Sequence, residues 1–235
     1  MNLVIDIGNT SIKAATFEKS KLVAWYRFEN IEYACAALKE LATKKVLISA
    51  SGNGIDALMK LFPDALVFDS KCDIPFKHAY QTPETLGADR KANVIGGLQH
   101  FPNGNFLVID CGTCITYDYV DSDSTYLGGA ISPGVEMKFT ALHNQTHGLP
   151  LVTRSTEFTI PGDSTNSSIL HGVISGSTAE INGMITNYIE RYGQMNIILT
   201  GGDAVLFESS IKETIFAAPY LGLEGLNRIL EHHAH

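Results

Sequence analysis

Asp6, Gly8, Asn9, Thr10, Ser11 and Lys13 form a compact set suited to holding phosphate. A glycine lets the backbone approach an anion closely. The turn's N–H groups and the hydroxyls of Thr10 and Ser11 can donate to phosphate oxygens, and Lys13 adds a positive charge. Asp6 closes an apolar run and can hold Mg²⁺, directly or through water, because that ion takes few carboxylates and keeps its waters. The Gly-x4-Gly-Lys-[Ser/Thr] spacing of a Walker loop is absent. A plain polar hairpin turn fits the same residues. Recurrence adds weight to the phosphate reading: Leu3-Val4-Ile5-Asp6-Ile7-Gly8 returns as Leu107-Val108-Ile109-Asp110-Cys111-Gly112, and both copies run on into threonine, Thr10 and Thr113. A strand–Asp–Gly device built twice suggests two similar domains facing a cleft, with one carboxylate and one N–H-rich turn on each wall.

Other residues carry further chemistry. Thr85-Leu86-Gly87-Ala88-Asp89-Arg90-Lys91 sets a carboxylate beside two cations. Asp89 can accept a proton from a substrate hydroxyl, and Arg90 can fix an anionic substrate through its planar donor fork. A helix start with a solvated ion pair is the alternative. Gly128-Gly129-Ala130-Ile131-Ser132-Pro133-Gly134 and Thr200-Gly201-Gly202-Asp203 are Gly-rich strand exits against which a nucleotide base or sugar can lie, or plain turns. Cys111-x-x-Cys114 looks like a redox or zinc half-site. No second CxxC or CxxH accompanies it, and Cys114 starts a strand-like run rather than a helix. The two cysteines read better as small side chains flanking the second turn.

These residues need strands to carry them. Leu3 to Ile7, Lys13 to Glu18 and Lys21 to Phe28 read as strands, with Lys19-Ser20 as a turn. Asn30 is an N-cap for a helix over Ile31 to Ala42. Val46 to Ala50 is a strand closed by Ser51-Gly52-Asn53-Gly54, followed by a helix (Ile55 to Leu61) and a strand (Ala65 to Phe68). The pattern restarts after Pro102-Asn103-Gly104-Asn105. Phe106 to Ile109, Cys114 to Val120 and Thr125 to Ile131 are strands, with Asp121-Ser122-Asp123-Ser124 between the last two. Pro133 then opens a helix running to about Thr146. A long helix covers Thr165 to about Tyr192, Asn196 to Thr200 is a strand, and helices fill the remainder. The stretch from about Ile74 to Phe101 joins the halves. This order predicts an α/β chain of two ribonuclease-H-like (actin-like ATPase) domains, residues 1–101 with the connecting segment and residues 102–235, with a cleft between them.

The chain has 235 residues, 45% of them hydrophobic, with 17 Lys and Arg against 25 Asp and Glu and a formal net charge of −8. No basic block stands out, which argues against nucleic acid or an anionic membrane as partner. The opening apolar stretch is short and interrupted by Asp6, so neither a signal peptide nor a membrane span is expected. The expected setting is the cytoplasm, with Cys35, Cys72, Cys111 and Cys114 as free thiols. His232-His233-Ala234-His235 reads as a frayed end rather than a metal site.

Taken together, Asp6-Ile7-Gly8-Asn9-Thr10-Ser11-Ile12-Lys13, Gly87-Ala88-Asp89-Arg90, Asp110-Cys111-Gly112-Thr113 and Gly129-Ala130-Ile131-Ser132-Pro133-Gly134 resemble the type III pantothenate kinases, a branch of the acetate and sugar kinase, Hsp70 and actin superfamily. The resemblance spans nearly the whole chain. It implies ATP-dependent phosphorylation of pantothenate to 4'-phosphopantothenate, the entry to coenzyme A. By the same resemblance Asp6, Ile7, Gly8, Asn9, Thr10, Ser11, Ile12, Lys13 and Thr113 bind ATP with its Mg²⁺, and Asp89 is the general base. Tyr80, Gly87, Ala88, Asp89, Arg90 and Thr165 bind pantothenate, and Asp110 holds a monovalent cation, K⁺ or NH₄⁺. The implied partners are ATP, pantothenate and a second copy of the chain, since family members are generally dimers. Cys114 stands where the family more often has Ala, and Ser168 replaces a small apolar residue; both changes are small in volume. The alternative function is an ATP-binding transcriptional accessory protein of the same fold without kinase turnover.

Overall fold

The computed structural model describes residues 1–41, 43–50, 54–72 and 75–232. Ser51-Gly52-Asn53 of the expected turn and the last three residues of the His-rich tail lie outside the described residues. The chain groups into two compact units, residues 1–104, 122–128 and 220–235 in one, and residues 105–121 and 129–219 in the other.

In the first unit, β1 (Asn2–Ile7), β2 (Ile12–Glu18) and β3 (Lys21–Phe28) form an antiparallel meander. Helix α1 (Ile31–Leu38) leads to β4 (Lys45–Ala50), and α2 (Ile55–Leu61) leads to β5 (Leu66–Phe68). The sheet order is β3-β2-β1-β4-β5, with β4 parallel to both β1 and β5. The apolar run of β1 feeds both faces, as period-2 geometry requires. Leu3, Ile5 and Ile7 join Ala34, Leu38 and Leu58 beneath α1 and α2, whereas Val4 points the other way. Edge strand β3 alternates exposed and half-buried residues. Asn30 caps α1 as expected, accepting the Tyr33 N–H at 3.0 Å. That helix stops at Leu38, a turn earlier than its apolar spacing suggests.

The connecting stretch holds more structure than its sequence announced. A two-residue strand, β6 (Lys77–His78), precedes α3 (Ala88–His100).

The second unit repeats the first. Strands β7 (Phe106–Cys111), β8 (Cys114–Val120) and β9 (Thr125–Pro133) are followed by α4 (Val135–Asn144), α5 (Thr165–Leu170), a π-helical turn (His171–Ser175), α6 (Gly176–Tyr192), β10 (Asn196–Thr200) and β11 (Ile215–Ala217). The order β9-β8-β7-β10-β11 matches β3-β2-β1-β4-β5 strand for strand, with the same mixture of antiparallel and parallel pairs where the pairings are given. The head of β9 groups with the first unit, where β6 runs parallel to it. Pro133 does not open a helix. It ends β9, and Gly134 is the N-cap of α4. The chain stays extended there because Gly134 must reach the β7–β8 turn before the helix can start. The long predicted helix over Thr165–Tyr192 is present, with the π-helical turn inside it. The remainder is less helical than expected, since β11 supplies a strand.

Helix α7 (Leu221–His232) returns to the first unit. It lies against α3, and together they cover the Val4 face of the first sheet with Leu223, Leu226, Ile229 and Leu230. The approach is close: a Cβ on Gly225 would stand 1.9 Å from the Ala92 carbonyl oxygen. The fold is therefore α/β with two mixed sheets of ribonuclease-H-like (actin-like ATPase) type. No helix among the described residues is long and apolar enough to cross a membrane.

Candidate active site

In the first unit Asp6 is half-buried at the end of β1. Its register partners are Lys13 on β2 and Ser49 on β4, so the three side chains share one face of the sheet. The hairpin closes with Gly8 N–H donating to Ser11 O at 3.1 Å, which leaves Asn9 and Thr10 exposed at its tip. A cavity of about 410 Å³ is lined by Ile7 to Ile12 and by Glu29 to Glu32. The set predicted from sequence is thus one continuous hairpin, Asp6 on β1 and Lys13 on β2 with the turn between them and Asn9 and Thr10 exposed at its tip.

Asp110 occupies the equivalent place in the second unit, with Thr116 and Thr200 as register partners. This hairpin is one residue tighter, closing through Gly112 N–H to Cys114 O at 2.9 Å. Both Gly-rich exits pack onto it. Gly134 N–H donates to Thr113 O at 3.1 Å, and a Cβ on Gly134 would lie 2.3 and 2.4 Å from the carbonyl oxygens of Gly112 and Thr113. Gly201 has φ +98°, and a Cβ there would be 2.4 Å from Cys111 O and 2.5 Å from the Asp110 carboxylate. Asp203 N–H adds a bond to Cys111 O at 2.8 Å. No larger residue fits at either glycine without moving backbone. Arg154 pairs with Asp203, and its Nε stands 3.9 Å from Glu136. Thr113 is exposed at the tip.

The cysteines of this turn are not a redox pair. Cys111 is fully buried, and burial, then the charges of Asp110, Asp203 and Glu180, push its thiol up. A thiol in that state is inert. Cys114 Sγ rests 3.9 Å from Met137 sulfur. All four cysteines are free.

One polar network was not legible in the sequence. Glu180 on α6 accepts from Lys138 Nζ at 2.8 Å, from Tyr117 Oη at 3.1 Å and from the Ser132 hydroxyl. Lys138 also donates to Ser177 at 2.8 Å. Burial works against the Glu180 charge, but the bonds from Lys138 and Ser132, the Lys138 charge and the Tyr117 hydroxyl outweigh it and hold the carboxyl below its usual value. Burial and then Glu180 push the Tyr117 phenol up. Nothing in the sequence ties a glutamate on one helix to a serine 48 positions earlier; only the fold does.

The third predicted cluster lies in the first unit. Gly87 is the N-cap of α3, and Asp89 is exposed in its first turn. The Asp89 carboxylate accepts the Arg90 N–H at 2.8 Å and folds over Gly87, where a Cβ would stand only 2.4 Å away. The alternative of a solvated ion pair fails here, because Arg90 and Lys91 are both buried. Arg90 Nη2 donates to Tyr126 Oη at 2.9 Å, and its guanidinium lies 6.0 Å from the half-buried Tyr80 ring. Lys91 Nζ donates to the carbonyls of Ser70 and Cys72 at 2.7 and 2.6 Å, a structural anchor. Thr165 is exposed as the first residue of α5 in the second unit. It is preceded by a capping box in which Ser164 and Ser167 bond reciprocally.

No group of three or more His, Cys, Asp or Glu able to hold a metal exists among the described residues. One carboxylate beside each hydroxyl-bearing turn, Asp6 in the first unit and Asp110 in the second, does fit a hard cation whose other ligands are phosphate oxygens and water. Neither fits a protein-caged metal.

A family model described as type III pantothenate kinase matches residues 2–187. A type III pantothenate kinase of Christiangramia forsetii is 43% identical over 242 residues, covering 98% of each chain. Among solved structures, the activator of 2-hydroxyisocaproyl-CoA dehydratase from Clostridium difficile, with bound ADPNP, aligns with TM-score 0.57 at 14% identity, covering 99% of this chain and 95% of its own. A ROK family glucokinase from Streptomyces griseus, in complex with glucose and AMPPNP, aligns with TM-score 0.56 at 10% identity, covering 98% and 99%. At those identities the two structures speak for the fold alone.

Proposed function

We propose roles for these residues from one premise: this chain belongs to the type III pantothenate kinase family. It is a phosphotransferase that uses ATP to phosphorylate pantothenate, the first step of coenzyme A biosynthesis, and a divalent metal accompanies the nucleotide. The residue assignments are our own reading. Residues Asp6 to Lys13 and Thr113 bind ATP, with the Thr10 and Ser11 hydroxyls and the turn N–H groups donating to phosphate oxygens and Lys13 opposing their charge. Asp6 would hold Mg²⁺, directly or through water, and Asp110 a monovalent cation, K⁺ or NH₄⁺, their chemistry there being to offset phosphate charge. Asp89 takes the proton from the primary hydroxyl of pantothenate as that oxygen attacks the γ-phosphorus in line, giving 4'-phosphopantothenate and ADP. Arg90 presents its fork to the pantothenate carboxylate, and Tyr80, Gly87, Ala88 and Thr165 are further pantothenate contacts. Most of the rate gain comes from alignment and electrostatics, as in phosphoryl transfer generally.

The observation that best supports this reading is the repeated hairpin, with Asp6 and Asp110 at the same register position of two sheets of the same strand order. We further propose two ribonuclease-H-like domains in sequence, residues 1–101 with the connecting segment and residues 102–235, a cytoplasmic setting, and a homodimer that light scattering in solution would test. The function is tested by a coupled ATPase assay with and without pantothenate, in Na⁺ and then in K⁺. The expected result is ADP release that depends on pantothenate and is faster in K⁺. ADP release indifferent to pantothenate refutes the roles given to Asp89 and Arg90.

A further inference from the structure

An arginine that is only 6% exposed is unusual, and a buried guanidinium is tolerated only when hydrogen-bonded. In the first unit Arg90 meets an aromatic cluster centred on Tyr126, which is fully buried. The Tyr126 hydroxyl accepts from Arg90 Nη2 at 2.9 Å. Its ring meets Phe76 edge-on at 5.8 Å and Tyr80 at 5.7 Å between centroids. Its backbone is engaged as well: Tyr126 pairs with His78, and its carbonyl takes the Ala79 N–H at 2.9 Å, one residue before Tyr80. Two residues on, Gly128 has φ +115°, and a Cβ there would stand 3.4 Å from the edge of the Tyr80 ring. A purely apolar role at this position would be met by phenylalanine, without the cost of burying a hydroxyl.

We propose that Tyr126 is the positioning residue of the acceptor pocket, its hydroxyl fixing the plane of the Arg90 guanidinium while its ring and backbone set Tyr80. The inference rests on the reading of Arg90 and Tyr80 as pantothenate contacts. A planar fork grips a carboxylate with two bonds only when its rotation is fixed, and the Oη acceptor supplies that fix without touching substrate.

Y126F tests it, because the ring stays and only the hydroxyl goes. Steady-state kinetics are measured for wild type, Y126F, R90K and the double variant, with a thermal melt of each. Y126F should raise the KM for pantothenate roughly 10-fold, the scale of a lost hydrogen bond to a charged group. The KM for ATP and kcat should stay within about twofold, the pattern of lost acceptor binding. In the R90K background the same change should add less than about twofold, because the shared guanidinium is gone. A pantothenate KM unchanged in Y126F, equal rises for ATP and pantothenate, full additivity in the double variant, or loss of the cooperative melt would each overturn the proposal. Absence of turnover in the wild-type arm would remove the functional reading along with it, whereas a normal wild type beside an unchanged Y126F removes this inference alone.

Discussion

Asp89 keeps one oxygen on the Arg90 N–H and leaves its carboxylate at the surface of the α3 N-terminus. A group so placed can meet a hydroxyl without the protein moving its backbone. Replacing Asp89 with Asn removes the base and preserves the shape. Turnover should fall by about 10²–10⁴-fold, the usual range for a positioned acid–base group, while ATP affinity measured by titration calorimetry stays near wild type. Near-normal turnover would withdraw the base assignment. The sequence showed Asp89 as a candidate because a carboxylate beside two cations is readable in one dimension. It could not show that those cations are buried, since the acceptor of Arg90 lies 36 positions away and those of Lys91 lie 19 and 21 positions back. Charge in a sequence says nothing about where the solvent ends.

Elements were legible where their period was long enough to register. The three strands of each meander carry six or more residues apiece and stand out by alternation or by an unbroken apolar run. Strand β6, of two residues, is too short to show any period; β11, of three, was lost among expected helices, although β5, equally short, was legible between a helix and a loop. Pro133 misled because a proline before a helix usually sits in its first turn, whereas here a carbonyl of the neighbouring hairpin holds the next residue in place. That contact makes a prediction. Gly134→Ala forces a methyl against two backbone oxygens, so it should cost about 1–3 kcal/mol, as overpacking typically does, and should weaken ATP binding by displacing Thr113. Urea denaturation and nucleotide titration would show both effects, and an unchanged midpoint would mean the turn is not clamped.

The Glu180 network is a second prediction at this scale. Its carboxyl is held below the ordinary glutamate value of 4.5. The stabilisation is therefore complete above that pH and is lost as pH falls through the lower folded value. Glu180→Gln should lower stability at neutral pH and flatten the fall in stability below 4.5, as read from melts at stepped pH. A slope identical to wild type would show that the network carries no proton linkage.

At the scale of the molecule, the repeat is clearer in three dimensions than in letters. Only short strings match between the halves, but five strands of each sheet follow the same order, β6 being the one addition. The net charge of −8 shows how little the total says about a phosphate site; local N–H groups and a few cations decide that. The contact of α7 with α3 is the integrity of the first unit. Gly225→Ala should drive the two helices apart, because the new methyl would start 1.9 Å from the Ala92 carbonyl oxygen. Hydrogen exchange should then quicken in β1, β2 and α3 more than in β7 and β10. Uniform protection would show that α7 is an ornament on that sheet.

The return of α7 also sets an order of events during synthesis. Domains generally fold as they emerge, the earliest first. Here α3 can cover its share of the Val4 face at once, but the share that belongs to α7 stays open while the second unit is translated. Only then does residue 221 leave the exit tunnel and the covering helix arrive. In a nascent chain the apolar strip that Leu223, Leu226, Ile229 and Leu230 will cover therefore stays open from the completion of α3 until α7 arrives, and that interval is when a chaperone would have most to hold.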